Sequence, residues 1–353
     1  MHASSCAGGS EERASVSFRG IIIEQDLQAG RIQDHRAEVT DLSESLLVGS
    51  GGDEPVDIDV MYSGLNYKDG LAIAGRPGVA RISPLIPGID LVGRVSASKD
   101  ARFAPGETVV LTGGGIGESA HGGLATRARV SGNYLLALPE GVSARQAAVI
   151  GTAGFTAMLS VLALEREGVA PDQGPVVVTG ASGGVGSVAV AVLAHLGFEV
   201  VAATGRVDSE GDYLRGLGAS QVLDRRELAD PGPALQKRRW AGGVDTAGSH
   251  TLVNLLAQTR DEGVLTTCGL AQGPDLPGSV MPFILRGVSL VGINSVTASR
   301  DLRQRAWRRL ADDLSSDLLE TMTSEISLDE VPARAEDILQ GRVRGRTVVS
   351  VQG

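Results

Sequence analysis

Gly180, Gly183 and Gly186 stand at every third position between an apolar run and an Ala-rich segment. Glycines at that spacing let a backbone turn tightly and come close to a ligand. A helix that starts there offers unpaired N–H groups to a pyrophosphate. The chemistry is binding of a dinucleotide cofactor. In NAD-preferring proteins an Asp or Glu about 20 residues beyond such a motif bonds the ribose 2′-hydroxyl. Here that neighbourhood holds Thr204, Gly205 and Arg206. A carboxylate repels a 2′-phosphate, whereas a guanidinium binds one through paired hydrogen bonds. These residues therefore favour NADPH over NADH. The competing reading makes Arg206 a solvated loop cation and gives the ribose to Asp208 or Glu210.

The surrounding elements suit that use. Residues 176–178 are all Val, bounded by Pro175 and Gly180, as in a strand buried on both faces. Residues 187–196 predict a helix that Gly197 ends. Residues 199–203 predict a second strand. Further on, helices are expected at 213–217, up to about Trp240, at 251–258 and at 282–286. Strands are expected at 221–223, 244–246, 263–268 and 288–293. Strands alternating with helices at this pitch build a doubly wound parallel sheet.

The first part of the chain has another rhythm. Short strands are expected at 18–24, 37–42, 56–62, 124–130 and 134–138, the stretches 84–95 and 103–112 each read as a Pro/Gly turn feeding a strand, and a short helix is expected near Asp69. Such dense turns suggest a compact, barrel-like β domain. Helices at 143–150 and 155–167 lead into the cofactor unit. A basic helix at 300–310, a strand at 325–328 and a helix at 331–339 follow, and a last strand at 346–351 returns to the β domain. The expected fold class is α/β. A β domain takes residues 18–150 and 297–353, a doubly wound domain takes 151–296, and residues 1–17 form a disordered leader.

A chain of 353 residues with 42% hydrophobic and 21% charged residues has the make-up of a soluble globular protein. A net charge of −10 argues against a nucleic-acid or membrane-surface binder. No apolar run is expected to span a bilayer. The first residues lack the apolar core of a secretion signal, so a cytoplasmic location is expected. Cys6 lies in the leader and Cys268 in a strand-like run, which argues against a disulfide framework. A structural zinc usually needs four cysteines, and a catalytic one needs Cys, His or carboxylate ligands on a pocket loop. His121, in a Gly-rich loop, and Asp90 are the donors to weigh, and no metal is expected.

A β domain, then GTAGFTA, a GxxGxxG unit and a closing RTVVSV strand resemble the medium-chain dehydrogenase/reductase superfamily. LNYKDGLAIAG (65–75), PLIPGIDLVG (84–93), IGTAGFTAM (150–158), VTGASGGVGS (178–187) and VMPFILRGVSLVG (280–292) resemble its zinc-free, quinone oxidoreductase-like enzymes, in the acrylyl-CoA reductase branch. The resemblance implies a GroES-like β-barrel catalytic domain beside a Rossmann domain. It implies that Tyr67 lies against the nicotinamide, as a hydrogen-bond or proton donor or as a positioning group alone. It places Ser182, Gly183, Gly184 and Val185 around the pyrophosphate, and Thr204, Gly205 and Arg206 at the adenosine phosphate. Leu270, Ile284 and Ser295 would line the nicotinamide or ribose, and the segment from Arg342 to Arg346 would approach the cofactor cleft, with Arg342 as a cofactor-binding residue. An ion pair between Lys68 and Asp69 is expected to fix the Tyr67 loop.

Three positions depart from the family pattern. Gln221 stands where an Arg is frequent, which leaves Arg225 or Arg226 to assist Arg206. Gly114 and His121 stand where relatives tend to carry bulky aromatics, which alters the acyl pocket. Without a Lewis acid, the natural chemistry is hydride addition to an activated double bond. The implied reaction is NADPH-dependent reduction of an α,β-unsaturated acyl-CoA, acryloyl-CoA to propanoyl-CoA. The alternatives are a quinone or enone reductase with no CoA requirement, and a non-catalytic NADPH-binding protein. A CoA thioester favours basic groups, and Arg303, Arg305, Arg308 and Arg309 cluster late in the chain, as do Arg342, Arg344 and Arg346. Most of them are expected on solvated faces. The superfamily also implies a homodimer paired near residues 288–293.

Overall fold

The computed structural model describes residues 17–28 and 31–352. Residues 1–16, with Cys6, lie outside the described residues. Ser17, assigned to the leader above, instead opens a strand and pairs with Ser43.

Alternating apolar residues make the first half a β structure. Its elements are β1 (Ser17–Gln28), β2 (Arg31–Ser43), β3 (Pro55–Leu65), α1 (Tyr67–Ile73), β4 (Asp90–Ser98), β5 (Thr108–Thr112), β6 (Arg127–Ser131) and β7 (Leu136–Ala137). Then come α2 (Ala144–Arg166), β8 (Val176–Thr179), α3 (Gly184–His195), β9 (Val200–Thr204), α4 (Val207–Gly216), β10 (Gln221–Asp224), β11 (Trp240–Asp245), α5 (Ser249–Gln258), β12 (Thr259–Thr267), α6 (Met281–Arg286) and β13 (Ser289–Gly292). The chain closes with α7 (Arg300–Asp313), α8 (Ser316–Thr321), β14 (Thr323–Ser327), α9 (Val331–Leu339) and β15 (Arg346–Ser350).

β1 and β2 form an antiparallel ribbon. The larger β sheet runs β14-β15-β3-β4-β5-β7, with β6 also paired to β3. Period-2 alternation puts Val56, Ile58 and Val60 of β3 inward, each no more than 1% exposed. β15 lies antiparallel to β3, so the end of the chain returns to this sheet.

The second sheet is parallel, in the order β10-β9-β8-β11-β12-β13. The winding reverses between β8 and β11, and the crevice outside the carboxyl ends of those strands is where ligands bind in such sheets. The helix expected to end near Trp240 does not form. Pro231 and Pro233 break the segment, and Trp240 opens β11 with its indole N–H donating to Gln258 Oε1.

α2 packs between the two sheets. Ser143 and Gln146 form its capping box. The two helices expected here are one assigned span with a break at Gly151, whose φ of 47° suits glycine. α2 corrects the expectation about apolar runs. It is long and apolar enough to cross a bilayer, yet 94% of its most apolar window is buried inside the protein.

Candidate cofactor and active site

The cofactor turn is built by β8. Its four residues are fully buried, so the strand ends at a fixed point. The chain then turns through Gly180, with Gly183 N–H donating to Gly180 O at 2.9 Å. α3 starts at Gly184 with no side-chain cap, which leaves the N–H groups of its first turn without helical partners. A Cβ on Gly186 would fall 2.4 Å from Gly180 O, so the helix can seat on the turn only with glycine there.

Other expected residues gather on the same rim. Ser182 and Thr204 share a 3.0 Å hydrogen bond between hydroxyls. Arg206 donates through Nη2 to Ser182 Oγ at 3.0 Å and to Val343 O at 2.9 Å. Arg206 is thus a seated cation rather than a solvated one. Glu210, the rival ribose ligand, is buried and holds Arg344. Of the two arginines offered as helpers, Arg226 is paired to Asp224, whereas Arg225 lies against Gly205, where a Cβ would be 2.5 Å from its Nε. Free helix donors beside a guanidinium suit the pyrophosphate and 2′-phosphate of NADPH.

The C-terminal segment meets this rim through its backbone at Val343 and Gly345 and through the Arg346 side chain beside Gly184. Val343 O accepts from Arg206, and Gly345 N–H donates to Ser182 O at 2.9 Å. The Arg342 side chain instead rests on Asp337, with Nε 2.9 Å from Oδ1.

At the ends of β12 and β13 opens a cleft of about 460 Å³, lined by Cys268, Gly269, Leu270, Ile293 and Asn294. Leu270 is one of its walls. Ile284 sits exposed on α6 and is not part of this wall. Ser295 is not either; its carbonyl accepts from Arg303 Nη2 at 2.8 Å. Burial pushes the Cys268 thiol up to about 12, which keeps it protonated and unreactive.

Tyr67 is the first residue of α1 and is 43% exposed. The loop that carries it is held by a buried polar cluster. Asn66 donates through Nδ2 to Asp90 Oδ2 at 2.8 Å, and its Oδ1 accepts from Arg346 Nη1 at 3.0 Å. Asp90 also accepts from Thr152 N–H at 2.8 Å and from the Thr152 hydroxyl at 2.6 Å. Arg346 Nε donates to Val149 O, and its Nη2 lies 3.6 Å from Asp90 Oδ2. The break at Gly151 makes room for this pair, since a Cβ there would fall 2.5 Å from Asp90 Oδ2.

Asp69 does not pair with Lys68, as the sequence had suggested. It caps α1, accepting from Asn66 N–H at 2.8 Å and from Ile89 N–H at 2.9 Å. Lys68 reaches Glu118 instead, at 2.8 Å. The geometry explains the exchange: Asp69 is 1% exposed at the helix start, while Lys68 points to the edge. Burial, then the nearby Asp90 charge, raises Asp69 to about 7. Burial also raises Asp90, against the pull of Arg346.

Arg346 was expected only as part of the segment 342–346 that approaches the cofactor cleft, and its buried pairing with Asp90 was not foreseen. It is 2% exposed. A signal was present, since it opens the apolar run RTVVSV, and Asp90 opens DLVG. Charges inside apolar runs need a buried partner. Arg303 was misread in the same way and is 1% exposed.

The donors weighed for a metal are otherwise engaged. His121 Nδ1 accepts from Ile86 N–H at 3.1 Å, and burial lowers its pKa. Asp90 belongs to the cluster above. Among the described residues no group of three or more His, Cys, Asp or Glu side chains is placed to hold a metal. These residues do not fit a zinc site.

Comparison with known proteins agrees with this architecture. Residues 52–150 match the alcohol dehydrogenase GroES-like domain, and residues 184–312 match the zinc-binding dehydrogenase family model. The "Probable acrylyl-CoA reductase AcuI" of Escherichia coli is 52% identical over 89% of this chain and 95% of its own length. The acrylyl-CoA reductase AcuI of Ruegeria pomeroyi is 47% identical over 95% of this chain and 99% of its own. Among solved structures, the yhdH oxidoreductase of Salmonella enterica in complex with NADP superposes with a TM-score of 0.89 at 49% identity, covering 94% of this chain and 99% of that one. With a GroES-like β part, a doubly wound sheet with a glycine turn, and these relatives along almost its whole length, the chain belongs to the medium-chain dehydrogenase/reductase superfamily, in its acrylyl-CoA reductase branch.

Proposed function

We propose that this protein is an NADPH-dependent reductase of the C=C bond of α,β-unsaturated acyl-CoA thioesters, with acryloyl-CoA as substrate and propanoyl-CoA as product. The observation that carries this reading is the double contact of Arg346. Its side chain lies 3.1 Å from where a Cβ on Gly184 would be, and it bonds Asn66 at 3.0 Å. That puts the Tyr67 loop next to the N-terminus of the cofactor helix. The AcuI relatives and the NADP-bound oxidoreductase fold support the same substrate and cofactor.

When bound, NADPH supplies the hydride for the β-carbon and leaves as NADP⁺. The π pair of the double bond moves toward the carbonyl oxygen, and the α-carbon takes a proton. Tyr67 presents a phenol at this point, as hydrogen-bond or proton donor. Ser182 and the first turn of α3 hold the pyrophosphate, and Arg206 with Arg225 holds the 2′-phosphate. Residues 18–150 and 297–353 act as the catalytic domain and 151–296 as the cofactor domain. A cytoplasmic homodimer fits as well. β13 is the edge strand of its sheet, and Val280, Met281, Ile284 and Leu285 beside it are exposed.

The test is steady-state NADPH oxidation with acryloyl-CoA, crotonoyl-CoA and a simple quinone at matched concentrations, with NADH as control. A kcat/KM for acryloyl-CoA far above the others is expected. A preference for the quinone would overturn the reading in favour of a quinone or enone reductase.

A further inference from the structure

A second cleft, of about 430 Å³, lies between the loop at 114–119 and the link at 294–297. Lys68, Glu118, Ser119, Tyr134, Asn294 and Thr297 face it, and Arg81 stands at its edge. Asn294 also lines the cleft beside Leu270, so the two spaces meet at one residue. The wall is firm. Arg303, buried beneath, donates to Thr112 O at 2.7 Å, Ser295 O at 2.8 Å and Val296 O at 2.9 Å, and stacks under the Tyr134 ring at 4.9 Å. Glycine keeps the cleft open, because a Cβ on Gly114 would fall 2.7 Å from that ring.

The lining divides about equally between polar and apolar surface, so it is not the wholly apolar slot that an alkyl tail or an aromatic quinone would fill. It offers hydrogen bonds instead. The Tyr134 hydroxyl has no partner among the described residues. Asn294 Nδ2 spends one bond on Thr297, at 2.9 Å, and has a second N–H to give. At the mouth, Lys68 lies 2.8 Å and Arg81 4.0 Å from the same buried carboxylate, Glu118. Two cations on one carboxylate leave a local positive charge on a chain whose net charge is −10. Arg81, with a side chain 65% exposed, is the cation free to turn toward solvent.

We propose that this second cleft is the channel for the substrate's pantetheine arm. Its amides bond Tyr134 and Asn294, and Arg81 at the mouth meets the phosphates of the nucleotide end. The proposal rests on the acyl-CoA reading above and extends it to a place and a set of contacts.

The test compares three acrylate thioesters of decreasing length: acryloyl-CoA, acryloyl-pantetheine and the amide-free S-ethyl thioacrylate. Each is reduced by the wild type and by Arg81→Glu and Tyr134→Phe. Arg81→Glu should raise the KM ratio of the CoA ester to the pantetheine ester about 10-fold, the worth of a charge-assisted contact. Tyr134→Phe should raise KM for both longer esters together, relative to the shortest, by about 3- to 10-fold, with a smaller change in kcat. Equal effects on all three esters, or none, would overturn the channel while leaving the reductase reading in place. A wild type that reduces none of the three thioesters overturns both. Arg81 lies at the surface, so its substitution does not threaten folding.

Discussion

Arg346 and Asn66, separated by 280 positions in the chain, are joined by a 3.0 Å hydrogen bond from the guanidinium to the amide oxygen. Through that bond the last strand of the chain holds the turn on which Tyr67 sits. The same guanidinium is the ion-pair partner of Asp90, and both side chains are at most 3% exposed.

Arg346→Leu removes the only cation paired to Asp90 among the described residues. Leaving a buried charge unpaired costs about 3–5 kcal/mol. The expected result is a loss of that size in denaturant unfolding at neutral pH. Adding Asp90→Asn should recover part of it, because the charge left behind is then gone. A loss below about 1 kcal/mol would mean that solvent reaches the pair.

Asp69 gives stability a pH dependence of known sign. Its folded pKa, at about 7, lies above the ordinary carboxylate value of 3.8. Between those values the folded chain holds up to one proton more than the unfolded chain. The contribution of this site is therefore full below the unfolded value and is lost as pH rises through about 7, by at most about 1.4 kcal/mol per pH unit. Urea unfolding from pH 5 to pH 8 should show wild-type stability falling relative to Asp69→Asn. Parallel pH curves for the two proteins would refute the shift.

Tyr67→Phe keeps the aromatic ring and removes the hydroxyl. If the phenol donates in the reaction, kcat with acryloyl-CoA falls about 10²-fold, the lower end for a general acid, while KM for NADPH changes little. An unchanged kcat limits Tyr67 to positioning.

Arg206→Ala and Arg225→Ala report on cofactor choice. Each is expected to weaken NADPH binding about 10- to 100-fold and NADH binding much less, because only NADPH carries the 2′-phosphate. Calorimetric titration with both cofactors measures this. If Arg225→Ala alone has no effect, Arg206 carries the discrimination by itself, despite Gln221.

Much of the fold was legible because it is local. Three consecutive Val residues, glycines at every third position and an Ala-rich run specify a strand, a turn and a helix within about 20 residues, whatever the rest of the chain does. The alternation of β3 and the capping box of α2 are local in the same sense. Where local cues conflicted, the reading failed. The segment before Trp240 had a helical look, but its prolines and the burial of the indole made it a loop and a strand.

The charged residues mark the boundary. Sequence marked the glycine turn and made Ser182 and Arg206 candidates for the cofactor, and the 3.0 Å contact between those two came from the structure. Sequence left Arg303 in one basic cluster and Arg342 and Arg346 together in another, near the cofactor cleft, with nothing to tell a buried arginine from an exposed one. Only the tertiary structure sorted them: Arg342 on an exposed carboxylate, Arg303 under Tyr134, and Arg346 between Asp90 and Asn66. The reason is physical. A turn is set by the backbone preferences of neighbouring residues, whereas a buried charge is tolerated only where distant strands bring it a partner, and no window of sequence contains both.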